Sequence, residues 1–103
     1  MVTKISEDNF TQEILKSGKR TVLDFYADWC GPCKMLSPVM EELSQKHPEW
    51  KFCKTNVDEN TPLAIKFGVS SIPAIAVFEN GELLDITVGY MSENELSAFI
   101  AGV

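Results

Sequence analysis

The fold is decided by the stretch Thr21-Val22-Leu23-Asp24-Phe25-Tyr26-Ala27-Asp28-Trp29-Cys30-Gly31-Pro32-Cys33. Residues 21–27 are nearly continuous apolar sequence, which predicts a β-strand covered on both faces. Beyond the cysteines, a long helix is predicted by one apolar stripe, formed by Leu36, Val39, Met40 and Leu43. Two cysteines spaced i, i+3 therefore stand where a buried strand passes into a helix.

This junction gives the two cysteines a redox character. Cysteines at this spacing can close a small disulfide ring or open to a dithiol. Cys30 would stand at the N-terminus of the helix, where unpaired N–H groups and the helix dipole favour an anion. Because the thiolate is the nucleophile in disulfide chemistry, the position predicts a lowered pKa for Cys30. The motif points to exchange between thiols and disulfides.

Strand and helix patterns alternate through the first half of the chain. Residues 2–5 predict a weak first strand, and Ser6 then reads as the N-cap of a helix that ends at Gly18. Residues 51–57, which follow the long helix, predict a further strand.

The second half adds a short helix, a hairpin and a final helix. Thr61-Pro62 opens the short helix, with proline at the first helical position, and Gly68 ends it. Asn80-Gly81 between two apolar runs is a strong hairpin signal, and Ser92 with Glu95 forms a capping box. The order β-α-β-α-β-α-β-β-α predicts an α/β fold with a mixed central β-sheet flanked by helices on both faces.

Length and charge narrow the possible function classes. The 103 residues carry 15 acidic and 9 basic side chains, for a net charge of −6. The densest basic cluster is Gly18-Lys19-Arg20, so a phosphate backbone would be repelled and nucleic acid is not expected as a partner. At this length we expect a single domain that covers residues 1–103.

No targeting or membrane segment is recognisable in the sequence. Residues 1–8 lack the apolar stretch of a signal peptide, and the longest apolar run, residues 72–78, contains Pro73 and is too short to span a bilayer. Three cysteines in such a chain argue for redox catalysis or metal binding rather than a disulfide framework. We therefore expect a cytoplasmic protein, not associated with a membrane, and a monomer.

A metal site is the main chemical alternative, with Cys30, Cys33, His47 and Cys53 as its ligands. A helix from Cys33 to His47 would hold these two side chains about 21 Å apart. Zinc ligands must all lie about 2 Å from one ion. No metal is therefore expected, and Cys53 is most simply a small core residue.

Two charged residues fall within predicted strands. Asp24 lies in the middle of an apolar run, where burial of a carboxylate is costly and should raise its pKa. Strand alternation places Val22, Asp24 and Tyr26 on one face. Lys54 is the second such charge. Each also has a simpler interpretation, because Asp24 could be a hydrogen-bonded structural carboxylate and Lys54 a lysine whose head reaches solvent.

The complete set of motifs resembles the thioredoxin family over essentially the whole chain. The matching residues are the stretch from Asp24 to Lys34, Pro38, Lys54, Asp58, Ser71-Ile72-Pro73 and Val88-Gly89. Tyr26 departs from the family, which often has a second tryptophan there, and Ala74 stands where threonine is common. The extra cysteine, Cys53, is a third departure. These differences bear on partner preference rather than on the reaction.

The resemblance implies a protein-disulfide reductase with two unequal cysteines. Cys30, expected at the exposed helix end, would attack a disulfide of a client protein and form a mixed disulfide. Cys33, expected to point back towards the protein, would attack the Cys30 sulfur and release the reduced client. Asp24 would relay protons to and from Cys33, through water, and Lys54 would moderate the pKa of Asp24.

The resemblance also assigns roles to the loops beside the cysteines. Gly31-Pro32 would tune the redox potential, and Ile72-Pro73 would be a cis peptide bond that presents backbone groups to an extended client peptide. Without the family, Pro73 could simply start the next strand. An apolar docking surface is expected from Trp29, Pro32, Ile72, Pro73 and Gly89, with the glycine allowing close backbone approach; separately, each apolar residue would be unremarkable.

Three function classes remain in view. The favoured one is a reductase of disulfide-containing client proteins, recycled by a separate thioredoxin reductase. A disulfide-forming or isomerising enzyme is less consistent with Gly31-Pro32. A scaffold with dispensable cysteines would need neither Asp24 nor Pro73. The chain has no glycine fingerprint for dinucleotides, so no cofactor is expected beyond the Cys30–Cys33 disulfide itself.

Overall fold

A five-stranded mixed β-sheet forms the centre of the structure, a computed structural model that describes residues 1–103. The strands are β1 (Thr3–Lys4), β2 (Arg20–Tyr26), β3 (Trp50–Asn56), β4 (Ala74–Glu79) and β5 (Glu82–Val88). Their order across the sheet is β1-β3-β2-β4-β5. The first three are parallel, whereas β4 runs antiparallel to both β2 and β5.

Helical segments cover both faces of this sheet. They are a π-helical segment (Thr11–Leu15) and three α-helices, α1 (Gly31–Lys46), α2 (Thr61–Lys66) and α3 (Glu93–Gly102). Side chains of α1 and α3 share one core cluster with the sheet, and those of the π-helical segment and α2 share the other. The predicted α/β fold, with a mixed sheet between two helical layers, is confirmed.

Strand β2 is the central strand, and its composition follows from that position. Val22 packs with the cluster under α1 and α3, whereas Leu23 and Phe25 pack with the cluster under α2. All three side chains are fully buried. A strand between two apolar layers needs apolar residues at every position, so the continuous apolar run is the expected sequence. Asp24 is the exception within it.

The first helix is much shorter than predicted. The sequence suggested a helix from Ser6 to Gly18, but residues 7–9 form a turn, and the helical segment that follows ends at Leu15. Its turn over Thr11–Leu15 is wide, with the Lys16 N–H bonded to the Thr11 carbonyl at 3.0 Å. Ser6 caps this segment as predicted, since its hydroxyl accepts the Asp8 N–H at 3.2 Å and its carbonyl accepts the Phe10 N–H at 3.1 Å. The Asn9 side chain holds the same turn: its oxygen accepts the Ser6 N–H at 2.7 Å and its nitrogen donates to the Lys4 carbonyl at 3.0 Å, and the regular helix begins after this turn.

The turn signals of the second half formed the elements they predicted. Asn80 and Gly81 both have positive φ, as a two-residue hairpin turn requires. Ser92 and Glu95 exchange both hydrogen bonds of a capping box at the start of α3. Gly68, at φ 67°, ends α2 and directs the chain into the loop before β4. That loop passes beside the cysteines.

Candidate active site

Cys30 and Cys33 are held at the start of α1. Cys30 is the last residue before the helix, in an extended conformation, and Cys33 lies in the first turn. The two form a disulfide, with their Cα atoms 5.3 Å apart. The Cys33 N–H donates to the Cys30 sulfur at 3.2 Å. A helix-terminal N–H therefore already points at the sulfur on which negative charge would develop after reduction.

The expectation that Cys30 is the exposed cysteine is wrong. In the disulfide form Cys30 is 5% exposed and Cys33 is 3% exposed. Both pack with Ala27 in a small cluster, against which the side chains of Tyr26, Val57 and Ile72 also pack. Val57 and Ile72 come from distant segments of the chain and help to cover the two sulfurs. Exposure does not distinguish the two cysteines, so their difference must come from what each one faces.

Cys33 faces a cavity of about 370 Å³ that Cys30 does not line. Asp24 and Lys54 line the same cavity, together with Tyr26 at the end of β2. On the other side, the Cys30 sulfur lies 4.0 Å from the carbonyl oxygen of Ile72. The two sulfurs thus have different surroundings: one is beside a cavity that a carboxyl group also lines, and the other is beside the loop before β4.

Asp24 is the most strongly perturbed acid near the disulfide. Its side chain is buried, and its Oδ1 atom has no hydrogen-bond partner. Burial raises the pKa of Asp24 from 3.8 to about 7, and the positive charge of Lys54 opposes that rise. A carboxyl group that titrates near neutral pH can both donate and accept a proton.

Lys54 acts on Asp24 through its charge rather than through contact. The two residues are register partners on β3 and β2, so their side chains leave the sheet on the same face. Lys54 forms no ion pair within 4 Å. Its Nζ atom instead lies 5.7 Å from the centre of the Tyr26 ring. This arrangement leaves the Asp24 carboxyl group without a salt bridge.

The loop before β4 presents a free section of backbone beside Cys30. The Ile72–Pro73 peptide bond is cis, as the family resemblance implied. The Pro73 carbonyl is occupied by the Gly89 N–H at 2.8 Å, whereas the N–H and carbonyl of Ile72 form no backbone hydrogen bond. Those two groups are available to another chain.

Gly89 has φ 105°, a backbone conformation that favours glycine. An added Cβ at this position would meet no atom within 4 Å, so the requirement for glycine comes from the backbone angle and not from lack of space.

The residues expected to form a docking surface differ in exposure. Trp29 is 71% exposed, Pro32 is exposed and Ile72 is half-buried. Pro73 is buried, so it can shape this surface but presents little area of its own. The tryptophan ring is therefore the largest apolar group that the molecule displays next to the disulfide.

Asp58 is a feature of the site whose role sequence reasoning missed. The Trp29 Nε1 atom donates to Asp58 Oδ2 at 2.9 Å. Trp29 follows β2 and Asp58 follows β3, and the carboxyl ends of neighbouring parallel strands meet at one edge of a sheet. That topological rule was the available signal. A groove of about 280 Å³ runs from this pair towards α2.

The proposed metal ligands do not come together. His47 caps the far end of α1, where its Nδ1 atom lies 3.0 Å from a Glu49 carboxyl oxygen and its ring stacks on Trp50. Cys53 is fully buried in the core under α2, and burial raises the pKa of its thiol to about 12. No group of three or more potential metal ligands occurs.

Comparison with known proteins agrees with this geometry. The thioredoxin family model matches residues 1–102. The chain belongs to the thioredoxin family. It is 40% identical over 101 residues to a thioredoxin of Rickettsia bellii, and the match covers 97% of this chain and 96% of the relative. It is 36% identical over 100 residues to a thioredoxin of Pseudomonas aeruginosa, and that match covers 96% of this chain and 93% of the relative.

Membership of the thioredoxin family, with the paired cysteines, makes the chain a thiol–disulfide oxidoreductase and a protein-disulfide reductase. The function expected from the resemblance is thereby confirmed. As in thioredoxins generally, its substrates are disulfides. None of its helices has the length and apolar character needed to cross a membrane.

Proposed function

We propose that Cys30 is the attacking cysteine and Cys33 the resolving one. The observation that carries this assignment is the cavity beside the disulfide, which Cys33 lines together with Asp24 and which Cys30 does not line. The resolving thiol must lose its proton inside the protein, so it needs a base nearby. Cys30 instead lies against the free backbone of Ile72, where a client chain would pass.

The reaction balances as two exchanges of sulfur–sulfur bonds. The Cys30 thiolate attacks one sulfur of a client disulfide, which forms a mixed disulfide and releases the other client sulfur as a thiolate. The Cys33 thiolate then attacks the Cys30 sulfur, breaks the mixed disulfide and releases the second client thiolate. The client gains two electrons and two protons, and Cys30 and Cys33 end as a disulfide.

Asp24 acts as the proton carrier for the second exchange. With a pKa of about 7, part of the Asp24 population is ionised at neutral pH and accepts the Cys33 proton, through water in the shared cavity. Lys54 holds this pKa below the value that burial alone would produce. Asp24 thereby serves as a general base for resolution and a general acid in the reverse direction.

Gly31 and Pro32 set how well the Cys30 thiolate is stabilised. Proline has no N–H, so the first turn of α1 offers one donor fewer to the sulfur. The Cys33 N–H is the helix donor that reaches it. A less stabilised thiolate gives up its electrons more readily, which suits a reductant rather than an oxidant.

Client proteins dock in an extended conformation on the surface beside Cys30. A client backbone pairs with the free N–H and carbonyl of Ile72, in the manner of an added β-strand. Trp29 and Ile72 contribute apolar area to this surface, and Pro73 fixes the conformation of the loop. Gly89 lacks a side chain, so the client backbone can approach it closely. Because backbone groups carry no sequence information, this mode suits many clients.

The wider role follows from the reaction. A separate thioredoxin reductase returns the Cys30–Cys33 disulfide to the dithiol, and the chain itself binds no cofactor or metal. Residues 1–103 work as one domain and as a monomer, in the cytoplasm, where they transfer electrons to disulfide-containing proteins and contribute to redox homeostasis. The two core clusters on one shared sheet support the single domain.

Trapping tests the assignment of the cysteines. Cys33→Ser should accumulate mixed disulfides with client proteins through Cys30, because the resolving thiol is absent. Cys30→Ser is the matched control and should trap none. Both variants carry Cys53→Ala, which excludes the third thiol. Trapping by the Cys30→Ser variant would reverse the assignment, and no trapping by either would favour the scaffold alternative.

A kinetic experiment tests the base. Asp24→Asn keeps the shape of the side chain but removes the proton acceptor, so decay of a preformed mixed disulfide should slow near pH 7. The initial attack by Cys30, measured in the same stopped-flow series, serves as the internal control. An unchanged resolution rate would leave Asp24 with a structural role only.

A further inference from the structure

The groove between Trp29 and α2 lies directly beside the disulfide. Ile72, whose carbonyl oxygen is 4.0 Å from the Cys30 sulfur, forms one wall of this groove, and Trp29, the residue before Cys30, forms another. Its volume is about 280 Å³, and most of its lining is apolar, including Ile65 and Val69. A client chain docked at Cys30 would therefore pass its neighbouring side chains over this groove.

Asp58 is the only charged residue that lines the groove. Its Oδ2 atom accepts the Trp29 indole N–H at 2.9 Å, and its own N–H donates to Asn56 Oδ1 at 2.9 Å. The carboxylate is thus fixed in orientation. Asp58 has no ion pair with any cation of this chain, and its second carboxyl oxygen has no partner.

The groove therefore combines an apolar lining with one uncompensated negative charge. Ile65, on α2, is 73% exposed although it is a large aliphatic residue. A purely apolar occupant would cover Ile65 but would also remove water from the Asp58 carboxylate without replacing it. An acidic occupant would be repelled. Lysine and arginine side chains match both the apolar lining and the Asp58 carboxylate, because their aliphatic stem covers apolar surface while their cationic head reaches the carboxylate.

We propose that this groove is a specificity site for a lysine or arginine side chain of the client, two residues from the client cysteine that Cys30 attacks. The spacing follows from an extended client, in which residues i and i+2 point to the same face and lie about 6.6 Å apart. This inference rests on the proposed docking of clients at Ile72. It makes the enzyme a reductase that prefers disulfides flanked by basic residues.

Peptide kinetics test the preference. Each peptide carries one cysteine, capped as a mixed disulfide with 2-mercaptoethanol, and either arginine or its neutral isostere citrulline two residues before or after that cysteine. Reduced protein should react roughly two- to fivefold faster with arginine in one of the two positions, as expected for one partly exposed ion pair. High salt should reduce that ratio towards one.

Asp58→Asn is the decisive variant. Asparagine keeps an oxygen that can accept the Trp29 indole bond but removes the charge, so the ratio of the arginine rate to the citrulline rate should fall to about one. Glu82→Gln is the matched control, because it removes one exposed carboxylate at the far end of the β4–β5 hairpin and should retain the advantage.

The possible failures are distinguishable. If the citrulline peptides are reduced but arginine gives no advantage in either position, or the advantage survives Asp58→Asn, the specificity site is refuted and the reductase mechanism stands. If no peptide forms a mixed disulfide through Cys30, the proposed docking and attack are themselves refuted.

Discussion

Replacing Asp24 with asparagine is expected to stabilise the protein in a manner that depends on pH. Burial raises the pKa of Asp24 from 3.8 to about 7 in the folded protein. The folded state therefore binds a proton more tightly than the unfolded state does. The stability that this carboxyl group contributes is fully present below pH 4, declines between pH 4 and pH 7, and is absent above that range.

The size of the effect follows from the pKa difference. A shift of about three units corresponds to about 4 kcal/mol, at roughly 1.4 kcal/mol per unit. Asparagine has no charge to bury. The free energy of unfolding of the oxidised Asp24→Asn protein should therefore exceed that of the parent by up to about 4 kcal/mol at pH 8 and by little at pH 3.5. With a urea m-value of about 2 kcal/mol/M, the unfolding midpoint moves by about 2 M. That is a large fraction of the total stability of a small domain, about 5–15 kcal/mol.

Urea unfolding, followed by far-UV circular dichroism from pH 3.5 to pH 9, measures this difference. Glu82→Gln is the control, because it removes a carboxyl group that is already exposed. The parent and Asp24→Asn curves should coincide in acid and separate as the pH rises through 7. Parallel curves at all pH values would refute the reasoning, since Asp24 would then not titrate with a raised pKa.

Three further outcomes are expected. Lys54→Gln should raise the pKa of Asp24 above about 7, because the positive charge that opposes the burial effect is removed. An NMR titration that follows the carboxyl carbon signal of Asp24 measures this pKa. An unchanged titration midpoint would contradict an electrostatic interaction between Lys54 and Asp24. Gly89→Ala should destabilise the fold by about 1–2 kcal/mol, owing to φ 105° rather than to a clash, as thermal unfolding will show. In the reduced folded protein at pH 8, iodoacetamide should alkylate Cys30 and leave Cys53 unmodified, because burial raises the pKa of Cys53 to about 12. Peptide mass mapping locates the modified cysteine. Rapid modification of Cys53 would be inconsistent with its position in the core.

Local signals in the sequence predicted the fold well, since each acts over a few residues. Asn80-Gly81 specified the hairpin because both positions require positive φ, and Ser92 specified the start of α3 through its capping box. The first helix was the exception. Its periodic apolar residues Phe10 and Ile14 are buried as expected, but apolar periodicity does not show that the first turn is held by side-chain bonds of Ser6 and Asn9 or that the helix widens and ends at Leu15.

The structure brings several residues named from the sequence into one region, but their accessibility could not be predicted from the sequence. Strand alternation placed Asp24 on the same face as Val22 and Tyr26, and the structure shows that Asp24 lines one cavity with Cys33 and Lys54. Closure over Cys30 could not be inferred, because Val57 and Ile72 reach it from segments far along the chain. The bond from Trp29 to Asp58 depends in the same way on which strands are neighbours in the sheet. The covering of Cys30 and the Trp29–Asp58 bond both depend on tertiary packing, which local patterns in one sequence do not show.

The strand order of the sheet has a consequence for how the protein folds. Only β4 and β5 are joined by a tight turn, whereas β2 pairs with segments far away in the sequence: Val22 lies opposite Phe52 on one side and Val77 on the other. A hairpin forms in about 1–10 μs, but the distant pairings must first close long loops. While the chain is being synthesised, both active-site cysteines therefore emerge well before Ile72, which packs against them in the folded protein. Slow reaction of Cys33 with a thiol reagent is then a sign that the loop before β4 has docked.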